Sequence, residues 1–300
     1  MVALTTTALN EVEADFVEYV AQQTGRSADE VQAAFLGLKR RFRFAGDGFL
    51  RLIDDLWDLQ AIVLPTGSDV ERLEGEIVRW YASHALLDLH RRLAGAAKLN
   101  RPKVTRSIPG VLKKLIRMRF RSAFSLLRGR TEGAALVTDG SCPAVAQFLL
   151  DTLGRPPVIV DYGCGLGFLS FEMAQRRPDA RVHLLDVEGM VLDFARHRFE
   201  KHGLHVQVVP VTPDAPYPVL PSHNLCIATE VFEHLVRPMV AYEHILDALE
   251  PDGLLHGNFR DHKADSAHVS PALADVRERL AHDFEKVAVV PYKNAVYRKR

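Results

Sequence analysis

Six short apolar runs punctuate the second half of the chain: VIVDY, RVHLLD, HVQVVPV, NLCIATE, GLLHGNF and KVAVVPY. Longer segments with helical spacing lie between them, among them GMVLDFARHRFEKHG and VAYEHILDALEPDG. Short continuous apolar runs bounded by turns mark buried strands, and their alternation with helices predicts a mainly parallel, doubly wound α/β sheet covered on both faces. The first 130 residues lack this alternation. There Leu9, Val12, Phe16 and Val20 recur at helical spacing, and Ser27 to Glu30 and Ser68 to Glu71 have the form of capping boxes. The pattern therefore predicts an α-helical accessory or lid region over residues 1–130 and an α/β domain over 131–300. One biased segment, the proline-rich VPVTPDAPYPVLPS, reads as a loop, and there is no internal repeat.

Composition narrows the setting. Apolar residues make up 47% of the 300, enough for a sizeable core, and no run approaches the roughly 18 apolar residues of a membrane helix. Cys142, Cys164 and Cys226 have no paired spacing, and the start MVALTTTALNEVEADF has neither a basic leader nor a long apolar stretch. These features lead us to expect a soluble, reduced, cytoplasmic protein with no membrane partner.

Formal charge is balanced at 38 against 38, yet Arg91 to Arg130 holds thirteen Lys or Arg and no acid. Within it Val111, Leu115, Met118 and Ser122 mark one helical face. Two readings stay open: a solvated face of a packed helix, or a docking surface for an anionic acceptor or partner. Nucleic acid is not the expected partner, because the stretch carries no interleaved aromatics beyond Phe120 and Phe124. His197, His202 and His205 are expected at the surface of a helix end and loop.

The candidate chemistry begins at VIVDYGCGLGFLSFEMA, Val158 to Ala174. Val158–Tyr162 reads as a buried strand, Gly163 to Gly167 as a turn and Phe168 to Arg176 as a helix. Glycines permit positive φ and close approach of a ligand to the main chain, and open α/β sheets bind ligands at the carboxyl ends of their strands. The spacing is not the dinucleotide GxGxxG, since Phe168 stands where the third glycine would be. Asp161, just before the turn, would repel a pyrophosphate and suit a ligand bearing an ammonium or sulfonium.

With these residues in place, the chain resembles the class I S-adenosylmethionine-dependent methyltransferases over residues 131–300. VDYGCGLG is similar to that family's first motif, Asp186 in RVHLLDVEG to its ribose-binding acid, CIATEVFEHLVRP to its fourth strand and the following helix start, and EPDGLLHGNF to its fifth strand. The resemblance implies a seven-stranded Rossmann-like sheet and S-adenosylmethionine as cofactor. It implies that Gly163, Gly165 and Gly167 approach the cofactor, that Asp161 holds its amino-acid end, that Asp186 accepts from both ribose hydroxyls, and that Val187 flanks the adenine. Asp214 in VTPDAP is the candidate for an acid near the adenine amine. Tyr162 departs from the usual aliphatic residue and is a candidate to point its hydroxyl at the cofactor.

EVFEH adds Glu230, Glu233 and His234, which share a face if a helix begins there. They read as acid/base groups, with His234 accepting the nucleophile's proton and Glu230 beside it, or as a divalent metal site with Asp261 and His262, or as a plain helix start. Cys164 reads as a small residue that fits the turn. The expected activity is methyl transfer to an oxygen or nitrogen of a specialised small-molecule substrate, anionic or carrier-bound. Two alternatives remain: cyclisation of the cofactor itself, as in azetidine-forming enzymes that resemble methyltransferases, and a non-catalytic protein that binds RNA or a carrier domain.

Overall fold

Alternating side chains on the central strands send two apolar layers to opposite faces of one sheet. The structure is a computed structural model, and it describes residues 11–25, 27–33, 134–137, 141–261, 270, 272–290 and 294–300. The expected capping box at Ser68, the basic stretch Arg91 to Arg130, the boundary at residue 131 and His262 lie outside the described residues.

The elements in chain order are α1 (Glu11–Thr24), β1 (Ala135–Leu136), α2 (Cys142–Leu153), β2 (Val158–Tyr162), α3 (Phe168–Arg176), β3 (Arg181–Val187), α4 (Met190–Lys201), β4 (Val206–Val211), β5 (His223–Ala228), α5 (Pro238–Ala248), β6 (Leu249–Gly257), α6 (Ala274–Asp283), β7 (Phe284–Val290) and β8 (Asn294–Lys299). The sheet order is β1-β7-β8-β6-β5-β2-β3-β4. β8 runs antiparallel to β6 and β7, and the other pairings are parallel. Seven of these strands match the expected Rossmann-like sheet. The eighth, β1, is a two-residue edge strand beside β7.

Ile159, Leu184, Leu225 and Ile227 pack under α2, α3 and α4 through Leu149, Phe171, Met173 and Phe199. Val160, Tyr162, Leu185 and Cys226 face the other way, against Ala241, Tyr242 and Ile245 of α5 and Val276 and Leu280 of α6. From β2 the chain steps outward through β3 to β4, then returns to build β5 and β6 on the other side. That reversal opens a crevice at the carboxyl ends of β2 and β5, the place where such sheets bind ligands.

The N-terminal helix is part of this body. Val12, Phe16, Val17 and Tyr19 of α1 bury themselves with Val31 against Val191 and Phe194 of α4 and Leu166 of the glycine turn. Asp15 and Arg198, both nearly inaccessible, form an ion pair at 3.2 Å in the same seam. His202 and His205 are exposed, as expected from the sequence, with His202 Nε2 3.4 Å from Asp15 at the rim of this seam, whereas His197 is half-buried against Tyr19. The Ser27 capping box forms as expected: the Glu30 N–H donates to Ser27 Oγ and the Ser27 N–H to Glu30 Oε2.

Candidate functional site

The turn after β2 takes its shape from three left-handed glycines, Gly163, Gly165 and Gly167, at φ 68°, 55° and 61°. Its backbone is latched to the neighbouring strand, because the N–H groups of Gly163 and Cys164 both donate to the Leu185 carbonyl, at 2.7 and 3.0 Å. Gly163 also needs to be small. A Cβ there would sit 2.4 Å from Val231 Cγ2, so the segment after β5 is packed directly on the turn. Gly167 begins α3 and aims that helix's N-terminus at the crevice.

Two carboxylates flank the turn and differ in surroundings. Asp161 is 5% exposed on the α2–α4 face. Ser170 Oγ donates to its Oδ2 at 2.5 Å, and among the described residues no hydrogen bond reaches Oδ1. Burial pushes its carboxyl up to about 7, against the pull of the Ser170 hydrogen bond, and the charge on Asp186 adds to the rise. Asp186, near the end of β3, is half-buried and holds backbone: Gly165 N–H donates to Oδ2 at 2.6 Å and Val187 N–H to Oδ1 at 2.7 Å. Each Asp186 oxygen keeps a lone pair for a further donor.

This donor set suits the adenosyl amino acid that the sequence suggested. A buried carboxylate with one unengaged oxygen fits an ammonium, a carboxylate with two spare lone pairs fits a pair of ribose hydroxyls, and the left-handed turn lets the ligand lie against main chain. Val187, half-buried at the end of β3, pairs with Val211 of β4 and borders the same crevice. Asp214 is exposed in the turn after β4, where Thr212 Oγ1 accepts the Ala215 N–H.

Tyr162 goes elsewhere. Next to Asp161 on a strand, it must point to the opposite face. It is 3% exposed in the apolar layer with Val231 and Phe232, and burial raises its phenol well above the usual range. Cys164 is half-buried, with its thiol near the Gly165 carbonyl.

The EVFEH segment also departs from expectation. No α-helix begins here: Phe232–His234 is one 3-10 turn, and α5 starts only at Pro238. Glu230 precedes that turn at φ 55°, a strained conformation for a residue with a side chain. A reciprocal clasp holds it there. Glu230 N–H donates to Asn258 Oδ1, and Asn258 Nδ2 donates back to Glu230 Oε1, both at 2.6 Å. Arg260 adds an ion pair at 3.2 Å. The shared helical face is therefore replaced by a graded one, with Glu230 exposed, His234 half-buried and Glu233 fully buried. Burial raises the Glu233 carboxyl, and the neighbouring Glu230 raises it further. These three are not gathered into a metal cluster among the described residues. Asp261 is taken by Arg277 of α6 in a two-pronged pair at 2.7 and 3.0 Å. The described residues that do converge as a ligand-type group, Glu11, Asp15 and His202, lie in the α1–α4 seam, where Arg198 and Lys201 already hold Asp15.

Sequence reading missed Ser170 and Asn258. Asn258 had a visible signal, a polar residue directly after the strand GLLHG, where a carboxyl-end site is built.

Residues 159–253 match the methyltransferase-domain family. The chain is 28% identical over 108 residues to a malonyl-[acyl-carrier protein] O-methyltransferase of Halalkalibacterium halodurans, covering 35% of this chain and 40% of the relative. It is 40% identical over 85 residues to a tRNA1(Val) (adenine(37)-N6)-methyltransferase of Vibrio cholerae, covering 28% of this chain and 33% of that one. The chain thus spans less than half the length of these relatives. Among solved structures it is similar to a 1,6-didemethyltoxoflavin-N1-methyltransferase of Burkholderia thailandensis, at 20% identity and TM-score 0.41, covering 66% of this chain and 93% of that one.

Proposed function

We propose, for a chain whose residues 159–253 belong to the class I S-adenosylmethionine-dependent methyltransferases, that it transfers a methyl group from S-adenosylmethionine to an oxygen or nitrogen of a specialised small molecule. The observation that carries this reading is the division of labour across the glycine turn. Asp161 is buried with one oxygen unengaged, while Asp186 is half-buried, latched to Gly165 and Val187, and open to two more donors. A pyrophosphate would meet a carboxylate where it needs a donor; an amino acid with a ribose meets complementary groups.

When bound, S-adenosylmethionine supplies a methyl group activated by its positive sulfur. The chain's own residues hold, orient and exclude water. Asp161 would take the cofactor's ammonium and Asp186 its ribose hydroxyls. His234, on the 3-10 turn that follows Val231, the residue packed on Gly163, accepts the proton that the acceptor loses. Glu230, fixed by Asn258 and Arg260, lines the acceptor side. Holding nucleophile and methyl in line accounts for much of the rate in such a site.

The relatives named above act on an acyl-carrier-bound malonyl group and on a tRNA adenine, so the acceptor is to be read from this chain's own products. Incubating the protein with S-adenosylmethionine, with and without pools of small molecules, acyl-carrier substrates and tRNA, and following products by mass spectrometry, tests the proposal. S-adenosylhomocysteine formed only with a small-molecule acceptor supports it. Methylthioadenosine formed without acceptor would replace it with cyclisation.

A further inference from the structure

Asp161 sits where a charge is costly. It is 5% exposed between apolar layers, and among the described residues the ionisable groups acting on it include no cation. Asp186 across β3 is an acid. Cys142 on α2 and Cys226 on β5 are thiols that burial pushes up, the first to about 12 and the second well above its ordinary value, so both stay neutral. The favourable contributions come from α3: its N-terminal dipole, and the hydroxyl of Ser170 in its first turn.

Ser170 is fully buried and has one hydrogen with two acceptors in reach, Asp161 Oδ2 at 2.5 Å and the Gly167 carbonyl at 3.2 Å. The carbonyl is already served by the Phe171 N–H at 2.8 Å. The shorter contact and the stronger acceptor both assign the hydrogen to Asp161 whenever that carboxyl is ionised. If Asp161 takes a proton, the carboxyl can donate to Ser170 Oγ, and the hydroxyl turns to Gly167.

We propose that Ser170 is a positioning residue for the amino-acid end of the cofactor: it pins Oδ2 of Asp161, stabilises the carboxylate that the ammonium needs, and leaves Oδ1 as the ammonium's acceptor. This rests on the reading of Asp161 given under the proposed function. Binding then displaces a proton from Asp161 to solvent when the empty site is protonated, and Ser170 sets the pH at which that happens. A serine present only to bond the carbonyl three residues back in its own helix would leave that pH untouched.

Calorimetric titration with S-adenosylhomocysteine, which keeps the ammonium and lacks the sulfonium, separates these roles between pH 6 and 8.5. For the parent, affinity should rise about tenfold from pH 6 to 8 and then level. Ser170→Ala should move the midpoint up by about one pH unit and weaken binding at pH 7 roughly fivefold, with the gap narrowing to within about twofold by pH 8.5. Ser170→Thr, which keeps the hydroxyl, should retain the parent's midpoint. Ser170→Cys, a weak donor of similar shape, carries the comparison if the alanine variant does not fold. An alanine or cysteine variant with the parent's midpoint overturns the inference, whether binding is uniformly weaker or unchanged. Asp161→Asn decides which reading has failed. Weak, pH-independent binding by that variant keeps Asp161 in the site, whereas parental affinity and pH profile would remove Asp161 and Ser170 together.

Discussion

Gly165 and Asp186 stand 21 residues apart in sequence and are joined at 2.6 Å, the glycine N–H donating to the carboxylate that also receives the Val187 N–H. Asp186 therefore shapes the turn before any ligand arrives. Asp186→Ala should weaken cofactor binding at least tenfold, since hydrogen bonds to a charged group are worth about 1.5–3 kcal/mol each. Asp186→Asn should be nearly as damaging, because its amide can accept one backbone N–H but turns a donor toward the other. Calorimetry gives the affinity, and faster hydrogen exchange at Gly165 would register the loosened turn.

Gly163→Ala should destabilise the fold by two separable amounts. A left-handed alanine costs roughly 1–2 kcal/mol, and overpacking against Val231 adds about 1–3 kcal/mol. Adding Val231→Ala should recover the second amount and not the first. Urea unfolding of the single and double variants measures both, and full recovery would mean that φ carries no cost here.

His234→Ala should lower turnover by about 10² to 10⁴ while cofactor affinity stays near the parent's, if His234 accepts the acceptor's proton. Equal losses in both would assign it a binding role.

Stability should respond to acid through two buried histidines. His223 and His256 are 0% and 2% exposed, and burial lowers each to about 4. The unfolded imidazole takes its proton near 6.5. Their contribution is thus complete above about pH 6.5 and lost as pH falls toward 4, by ~3 kcal/mol each. Asp161 works in the opposite direction, because its protonated form is the one burial favours, and its effect fades as pH falls from 7 toward 4. His256→Asn keeps a donor for the Ala295 carbonyl without the titration. Compared with the parent, it should lose less stability between pH 7.5 and 4.5; identical acid sensitivity would show that His256 protonates freely in the fold.

What the sequence made legible was local. The glycine turn, the order of strands and helices, and the Ser27 capping box follow from short-range spacing and formed as read. The side on which Tyr162 lies was also legible, since strand alternation separates it from Asp161, but the unusual residue type drew attention away from that rule. Glu230 was not. Its left-handed backbone depends on Asn258, 28 residues later and just beyond the end of the next strand, so a helical reading of EVFEH had no local signal against it. The role of α1 was hidden for the same reason, because its periodicity declares an apolar face and not the partner that covers it.

That partner is fixed by Asp15 and Arg198, 183 residues apart and both about 5% exposed or less at their side chains. Desolvation pulls the Arg198 guanidinium below its ordinary value while Asp15 holds it charged, and the same guanidinium lies 3.7 Å over the Phe171 ring. Its Nη1 is buried with no hydrogen-bond partner among the described residues, so the charge depends heavily on Asp15. Asp15→Ala should consequently cost about 3–5 kcal/mol, because it leaves a buried cation uncompensated. The pair itself is worth much less than that loss suggests, since replacing both partners by apolar residues of similar size removes the desolvation cost as well. Asp15→Leu with Arg198→Met should therefore return to within about 2 kcal/mol of the parent while each single change is severe. Urea unfolding of the four proteins yields the coupling, and a loss below about 1 kcal/mol for Asp15→Ala would mean that water reaches the seam and the pair behaves as an exposed one.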